Sequence, residues 1–294
     1  MSALSTPYGV RAKRALCALL LVLGACGGTR IIQPEHVEGT GPAPPEDGVL
    51  EVVTLNVAGL PEFATDREPS RDHVHIGPKL AGFDLVLVQE DFWHHDVLVA
   101  GIAQAWRAAT RDRFLLPGDG LARFSWLELG PVEHVPWDTA HGFFKYMNDR
   151  LASKGFSAGR AMLAPGRTVT VYNVHADAGW HDGDEAARAR QFEQLAEHIA
   201  ENVLEGEAII VAGDFNTGPT GLSALRAATG LRDVFEDLGV DGGIDRVLYR
   251  SGSDVRLTPV EAGRVADFRA PDGGSLSDHT PVRAVFEVEL VAVK

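Results

Sequence analysis

Cysteine, basic residues and long apolar runs are all in short supply in this chain. Only Cys17 and Cys26 occur among 294 residues, both near the start. The remainder has no disulfide framework, and a domain of this size must rely on its apolar core. Lys and Arg number 27 against 41 Asp and Glu, giving a formal net charge of −14 at pH 7. Such an acidic chain has no general attraction for nucleic acid, and any polyanion would need a local basic patch. The apolar stretch from Ala15 to Cys26 falls short of the roughly 20 residues that a membrane-spanning helix requires. No short internal repeat is visible. What is plentiful is ordinary core material: 45% hydrophobic and 23% charged residues, enough for one large domain or two small ones.

Arg11, Lys13 and Arg14 precede that apolar stretch, and small residues close it before Cys26. A basic head, an apolar core and small residues in this order form a secretory signal. Leu23-Gly24-Ala25-Cys26 resembles the lipobox of bacterial lipoproteins. The resemblance implies cleavage before Cys26, acylation of that cysteine, and an exported protein held on the cell-envelope membrane by its lipid or else secreted. Loss of residues 1–25 would take the net charge from −14 to −17. Gly27, Gly28, Gly41, Pro42, Pro44 and Pro45 mark 26–47 as a lipidated cysteine followed by a flexible tether. The folded domain is expected over 48–294, as a monomer.

Within it, β-branched and apolar runs predict strands over Val49–Val57, Phe83–Val88, Leu121–Leu129, Phe156–Leu163, Thr168–Asn173, Ile209–Asp214, Ile244–Tyr249, Val255–Val260 and Val282–Leu290. Helices are expected over Arg71–Leu80, Val97–Ala109, Gly183–Val203 and Thr220–Thr229, and a loop over Val132–Tyr146. In Gly183–Val203, Phe192, Leu195, Ala196, Ile199 and Val203 form one stripe, with Asp182 or Asp184 as the cap. Many strands with few helices predict two packed sheets carrying helices outside.

The chemistry collects where strands end. Ile209-Ile210-Val211-Ala212-Gly213-Asp214-Phe215-Asn216 is a buried strand that runs into a carboxylate and an amide two residues apart. Side chains alternate along an extended backbone, so Asp214 and Asn216 point to the same side, where they suit a hard cation or a phosphate beside one. Asn56, Glu90, Asn173 with His175, Asp245, and Asp278 with His279 end other strands in the same way. A single acidic residue after a strand is ordinarily surface, but six such ends brought together by two sheets point to a site.

Their order is that of the endonuclease/exonuclease/phosphatase superfamily, which includes deoxyribonuclease I-like enzymes, inositol polyphosphate phosphatases and neutral sphingomyelinases. The resemblance rests on Leu55-Asn56, Gln89-Glu90, Asn173-Val174-His175, Gly213-Asp214-Phe215-Asn216, Ile244-Asp245 and Leu276-Ser277-Asp278-His279-Thr280-Pro281. It implies an α/β fold, a four-layer α/β/β/α sandwich of two mixed sheets with outer helices, over a catalytic domain of 48–294. It also implies metal-assisted hydrolysis of a phosphate ester. Glu90 would be the main ligand of Mg²⁺, with Mn²⁺ or another divalent ion as the alternative, helped by Asn56 and with Asp278 touching metal or supporting the site. His279 would be the base, oriented by Asp245, and His175 an electrophile or acid. Asp214 and Asn216 would align water and phosphate or hold a second metal, and Asp214 is the alternative base. Asn173 is assigned to substrate.

Asp149-Arg150-Leu151-Ala152-Ser153-Lys154-Gly155 resembles the segment characteristic of neutral sphingomyelinases, which implies Asp149 and Lys154 beside the phosphate. Trp137, Phe143, Phe144 and Tyr146 could add a face for lipid or choline. Two departures touch substrate recognition: Gly120-Leu121-Ala122-Arg123 lacks the serine usual in the family, and Arg246 stands where an aromatic often follows the aspartate. His94, His95 and His141 match no motif and read as surface. The leading expectation is an anchored phosphodiesterase of phospholipids. A secreted nuclease, a lipid or inositol phosphatase and, last, a non-catalytic binding protein are the alternatives.

Overall fold

The computed structural model describes residues 28–38, 48–110, 118–141 and 154–292. In chain order the elements are β1 (Arg30–Ile32), β2 (Glu35–His36), β3 (Val49–Asn56), α1 (Pro69–Lys79), β4 (Leu85–Gln89), α2 (His95–Ala100), β5 (Trp106–Ala109), β6 (Ala122–Ser125) and β7 (Leu129–Pro136). There follow β8 (Gly155–Ala164), β9 (Arg167–His175), α3 (Asp182–Asn202), β10 (Ala208–Asp214), α4 (Ser223–Thr229), β11 (Arg232–Asp233), α5 (Val234–Leu238), β12 (Asp245–Arg250), β13 (Val255–Arg264) and β14 (Val282–Leu290).

Two seven-stranded sheets result, ordered β1-β7-β8-β9-β10-β12-β11 and β13-β14-β3-β4-β6-β5-β2. Each is mixed. β9 lies parallel to β10 and β3 parallel to β4, while the other pairings are antiparallel. A parallel pair needs a crossover, and α3 and α1 supply them. Period-two alternation then builds the layers. Leu50 and Val52 of β3 join Leu85, Leu87, Val171, Ile210 and Ala212 in the core between the sheets. Their neighbours Val53 and Leu55 face outward, clustered with Ile76 and Leu80 around α1. Ile209 and Val211 likewise face outward, with Phe192, Leu195 and Ile199 of α3. The four-layer α/β/β/α sandwich expected from the sequence is the fold.

Four local expectations need correction. Val97–Ala109 is not one helix: α2 stops at Ala100, and Trp106–Ala109 pairs with β6 and β2 as β5. The alanines favour helix, but an open sheet edge beside them decides otherwise. Leu121–Leu129 is divided between β6 and the start of β7, and β7 takes Val132–Pro136 from the expected loop. Helix α3 is capped by His181, with the Asp184 carboxylate accepting from the His181 amide at 3.0 Å. Part of the supposed tether is structured, since β1 pairs with β7 and β2 with β5. Such short edge strands have no signal of their own and exist by pairing. The signal segment, Cys26 and residues 39–47 lie outside the described residues, as do Asp149, Phe143, Phe144 and Tyr146. Among the described residues no helix is long and apolar enough to cross a membrane.

Candidate active site

Strand direction brings the polar ends together. In register, Asn56 of β3 stands opposite Gln89 of β4, while Asp214 of β10 stands opposite both His175 of β9 and Asp245 of β12. All these termini open at the same end of the sandwich. Gly213 is required at the approach to Asp214: its φ is +148°, and a Cβ there would lie 2.0 Å from the Val174 carbonyl oxygen. Only glycine lets β10 come this close to β9 just before the carboxylate.

Asn56 joins the two sheets. Its Nδ2 donates to Glu90 at 3.0 Å and to Asp214 at 3.2 Å, while its Oδ1 accepts from the Ala58 amide at 3.0 Å. Ser277 Oγ donates to the Asn56 carbonyl at 2.6 Å and accepts from the His279 amide at 3.1 Å. The serine of the Ser-Asp-His stretch thus ties the His279 loop to β3. Trp137 Nε1 donates to the His175 carbonyl at 2.7 Å. Neither positioning contact follows from spacing alone, although Ser277 stands inside a recognisable stretch.

Around Asp214 the titratable groups form a chain. His279 Nδ1 is 2.8 Å from Asp245 Oδ2, and its Nε2 is 3.8 Å from Asp214 Oδ2. Burial works against charge on His279, but the Asp245 hydrogen bond and the charges of Asp245, Asp214 and Asp278 outweigh it and lift its pKa to about 9. Burial, reinforced by Asp245, pushes Asp214 up to about 6. His175 Nε2 is 3.6 Å from Glu90 and 3.8 Å from Asp214. Burial, Lys154 and His279 hold it well below the usual histidine range.

Glu90 ends its strand at a φ of +58° and keeps a fifth of its side chain exposed. Burial raises its pKa, Lys154 and Asn56 oppose that rise, and Asp214 and Asp278 add to it. Carboxylates that feel one another at a cleft mouth are hard-oxygen donors of the kind Mg²⁺ takes. Glu90 and Asp214 are joined through the Asn56 amide, and exposed Asp278 acts on Glu90 electrostatically from the rim. Asn56 as placed turns its NH₂ toward the carboxylates, so its oxygen would ligate only after the amide turns over. Among the described residues, Asp214, Asp245 and His279 bring one ligand atom each within 4.8 Å of one another. The Asp245–His279 bond commits two of them to each other, an arrangement suited to moving a proton.

Lys154 belongs to this cleft. Its ammonium donates to the Ala176 carbonyl at 3.3 Å and acts electrostatically on Glu90, His175 and Asp214. Asn216 shares that carbonyl, donating to it at 3.0 Å, and its own amide is held by Asp214 at 2.9 Å. Asp278 is exposed at the rim.

Asn173 is placed differently from its expected substrate role. It is fully buried, accepts from Gln89 at 2.6 Å, and donates to the Val88 and Ala122 carbonyls at 2.9 and 3.1 Å. Every polar atom of its side chain is spent between the sheets. Arg246 follows Asp245 and so faces the other way, pairing with buried Asp233 at 2.5 Å behind the cleft. Arg123 is buried between the sheets and donates to Ser157 at 2.8 Å. His95 is partly buried against Asp91 at 2.5 Å, so it is more than surface, whereas His141 is exposed and bonded to Asp184 at 2.7 Å.

Two sheets that bring amide, carboxylate and imidazole groups together at one open end define the DNase I-like class of α/β sandwich. The chain belongs to the Endonuclease/Exonuclease/phosphatase family, whose model matches residues 53–279. It is 29% identical over 275 residues to a sphingomyelinase of Mycobacterium tuberculosis, a match covering 83% of this chain and 54% of that protein. The chain thus spans about half the length of the curated relatives it matches. Among solved structures, D. rerio TDP2 complexed with a single-strand DNA product has a TM-score of 0.66 at 17% identity, covering 82% of this chain and 99% of that one. A Staphylococcus aureus beta toxin mutant with bound magnesium ions has a TM-score of 0.61 at 15% identity, covering 80% and 98%.

Proposed function

We propose that the chain hydrolyses a phosphodiester bond with the help of a divalent cation, and that the substrate is a phospholipid of the sphingomyelin type. The observation that carries this reading is Lys154: a cation from the stretch that resembles the sphingomyelinase segment stands among Glu90, His175 and Asp214. The sphingomyelinase names of the relatives support the same substrate class.

A bound Mg²⁺ supplies neutralisation of charge on the phosphoryl and leaving oxygens. The side chains supply the rest. His279, held by Asp245, takes the proton of the attacking water, because the aspartate both orients the ring and favours the imidazolium. Asp214 and Asn216 fix water and phosphate in line. His175, neutral in its buried position, donates a hydrogen bond to a phosphoryl oxygen, and Lys154 opposes the negative charge that builds there. Export and anchoring through Cys26 belong to the same reading, and mass spectrometry of the mature N-terminus tests them.

One assay tests the substrate. The protein with Mg²⁺ is offered sphingomyelin, phosphatidylcholine, plasmid DNA and an inositol phosphate, with and without a chelator. Turnover of sphingomyelin that the chelator abolishes is the expected result. Activity confined to DNA would move the chain to the nucleases, and activity that survives thorough chelation would end the metal mechanism.

A further inference from the structure

The catalytic end carries a second feature that hydrolysis does not use. Among the described residues three aromatic side chains are exposed: Phe63 at 56%, Trp93 at 39% and Trp180 at 70%. Each lies on the loop that follows a site-bearing strand. Phe63 comes seven residues after Asn56, Trp93 three after Glu90, and Trp180 five after His175. The first two loops are tied, since the Trp93 amide donates to the Gly59 carbonyl at 3.4 Å. Among the described residues, the large hydrophobic side chains exposed at the opposite end, such as Leu204, Val49 and Leu290, are aliphatic. Aromatics with an apolar body and a polar edge favour a membrane–water interface.

Charge selects the kind of membrane. Exposed Glu62 and Asp66 flank Phe63, and Asp96 follows Trp93. At Trp180 the exposed Asp182 is offset by Arg188, whose guanidinium carbon lies 6.0 Å from the ring centre. Carboxylates repel an anionic lipid surface. Around Phe63 and Trp93, carboxylates interleaved with aromatic faces match the outward quaternary ammonium of a phosphocholine headgroup. Chain entry agrees. β1 runs antiparallel to β7 with Arg30 opposite His134, and β7 ends beside Gly155 at the catalytic end. Residues 28 and 29 therefore enter β1 from that same end.

We infer that Phe63, Trp93 and Trp180 form a docking rim that seats the catalytic end on a phosphocholine bilayer. This deepens the phospholipid reading above and rests on it for its biological use, but not for its measurement. The full chain is mixed with phosphatidylcholine–sphingomyelin vesicles containing brominated phosphatidylcholine, which quenches tryptophan at the bilayer surface. Wild type is expected to be quenched, and Trp93→Phe with Trp180→Phe to lose most of that quenching while Trp106, Trp126 and Trp137 stay bright. Enrichment of the vesicles in phosphatidylserine is expected to weaken quenching. In parallel, Phe63→Ala/Trp93→Ala/Trp180→Ala is expected to lose roughly tenfold or more in turnover of vesicle lipid. Its turnover of soluble bis-p-nitrophenyl phosphate should stay within about twofold of wild type. Equal quenching of wild type and the double variant, or equal vesicle turnover by the triple variant, overturns the docking rim. A rim that docks on a protein that cleaves neither substrate overturns the hydrolase reading and leaves the rim standing.

Discussion

Two histidines face one carboxylate oxygen from opposite sides of the cleft. His175 Nε2 and His279 Nε2 each lie 3.8 Å from Asp214 Oδ2, yet their proton affinities move in opposite directions. On the far side of its ring His279 has Asp245 at 2.8 Å, and its pKa rises to about 9. His175 is fully buried, and its ring nitrogens have no hydrogen-bond partner among the described residues. Burial first, then Lys154 and His279, drive its pKa down. The shared carboxylate alone does not separate the two rings. Burial disfavours charge on both rings, and only His279 has the carboxylate behind it that outweighs burial. One side of the cleft therefore holds a proton and the other remains neutral.

The largest expected effect comes from removing the proton-holding side. His279→Ala should cost ~10³-fold or more in kcat/KM, and Asp245→Asn ~10²-fold or more, with circular dichroism unchanged. In Asp245→Asn the ring of His279 should also titrate closer to 6.5 than to 9 by NMR, and an unmoved titration would refute the account of its shift. With His279 as the base, wild-type kcat/KM should climb with pH toward a plateau above about 9. A limb near 6 followed by a fall above 9 would give the role to Asp214. Next in size, Glu90→Gln should abolish the response to added Mg²⁺, so residual activity that still follows the metal would relocate the main ligand.

Lys154→Ala sharpens the comparison from the neutral side. Turnover should drop ~10²-fold, and the pKa of His175 should rise because a neighbouring positive charge has gone. A normal rate would return Lys154 to a surface role.

The smallest effect is on stability. His279 has a raised pKa in the fold, so its stabilisation is complete below pH 6.5 and is lost as pH rises through about 9. His175 has the opposite sign: below 6.5 the unfolded chain takes up a proton that the buried ring refuses, and stability falls. His175→Asn should flatten the decline of the urea midpoint between pH 7 and 5. An equally steep decline would place the acid sensitivity elsewhere.

Both the layers and the meeting of the polar strand ends were largely readable in advance, for one physical reason. Core strands such as Ile209–Asp214 are buried on both faces, so their sequence has little freedom, and a polar group directly after such a run stands out. Residues whose role depends on a partner remote in sequence were not readable. Asn173 and Asn56 are the same residue type near strand ends. Yet Asn173, two residues short of the end of β9, is spent on Gln89 and two carbonyls between the sheets, while Asn56, the last residue of β3, reaches the cleft. Arg246 seemed to bear on substrate until strand alternation turned it toward Asp233. Trp106–Ala109 and Arg30–Ile32 are strands only because a neighbour offers an open edge.

The bridging amide of Asn56 also bears on how the protein matures. One of its bonds crosses 34 positions of sequence and another 158, and the serine that holds its carbonyl lies 221 positions away. Contacts this distant close late, because loop entropy must be overcome before they contribute. No half of the chain contains a working cleft: one sheet brings Asn56 and Glu90, the other Asp214, His175 and Asp245. Hydrolysis therefore reports the last stage of folding. A chain stalled with its sheets undocked brings neither group of side chains to the other.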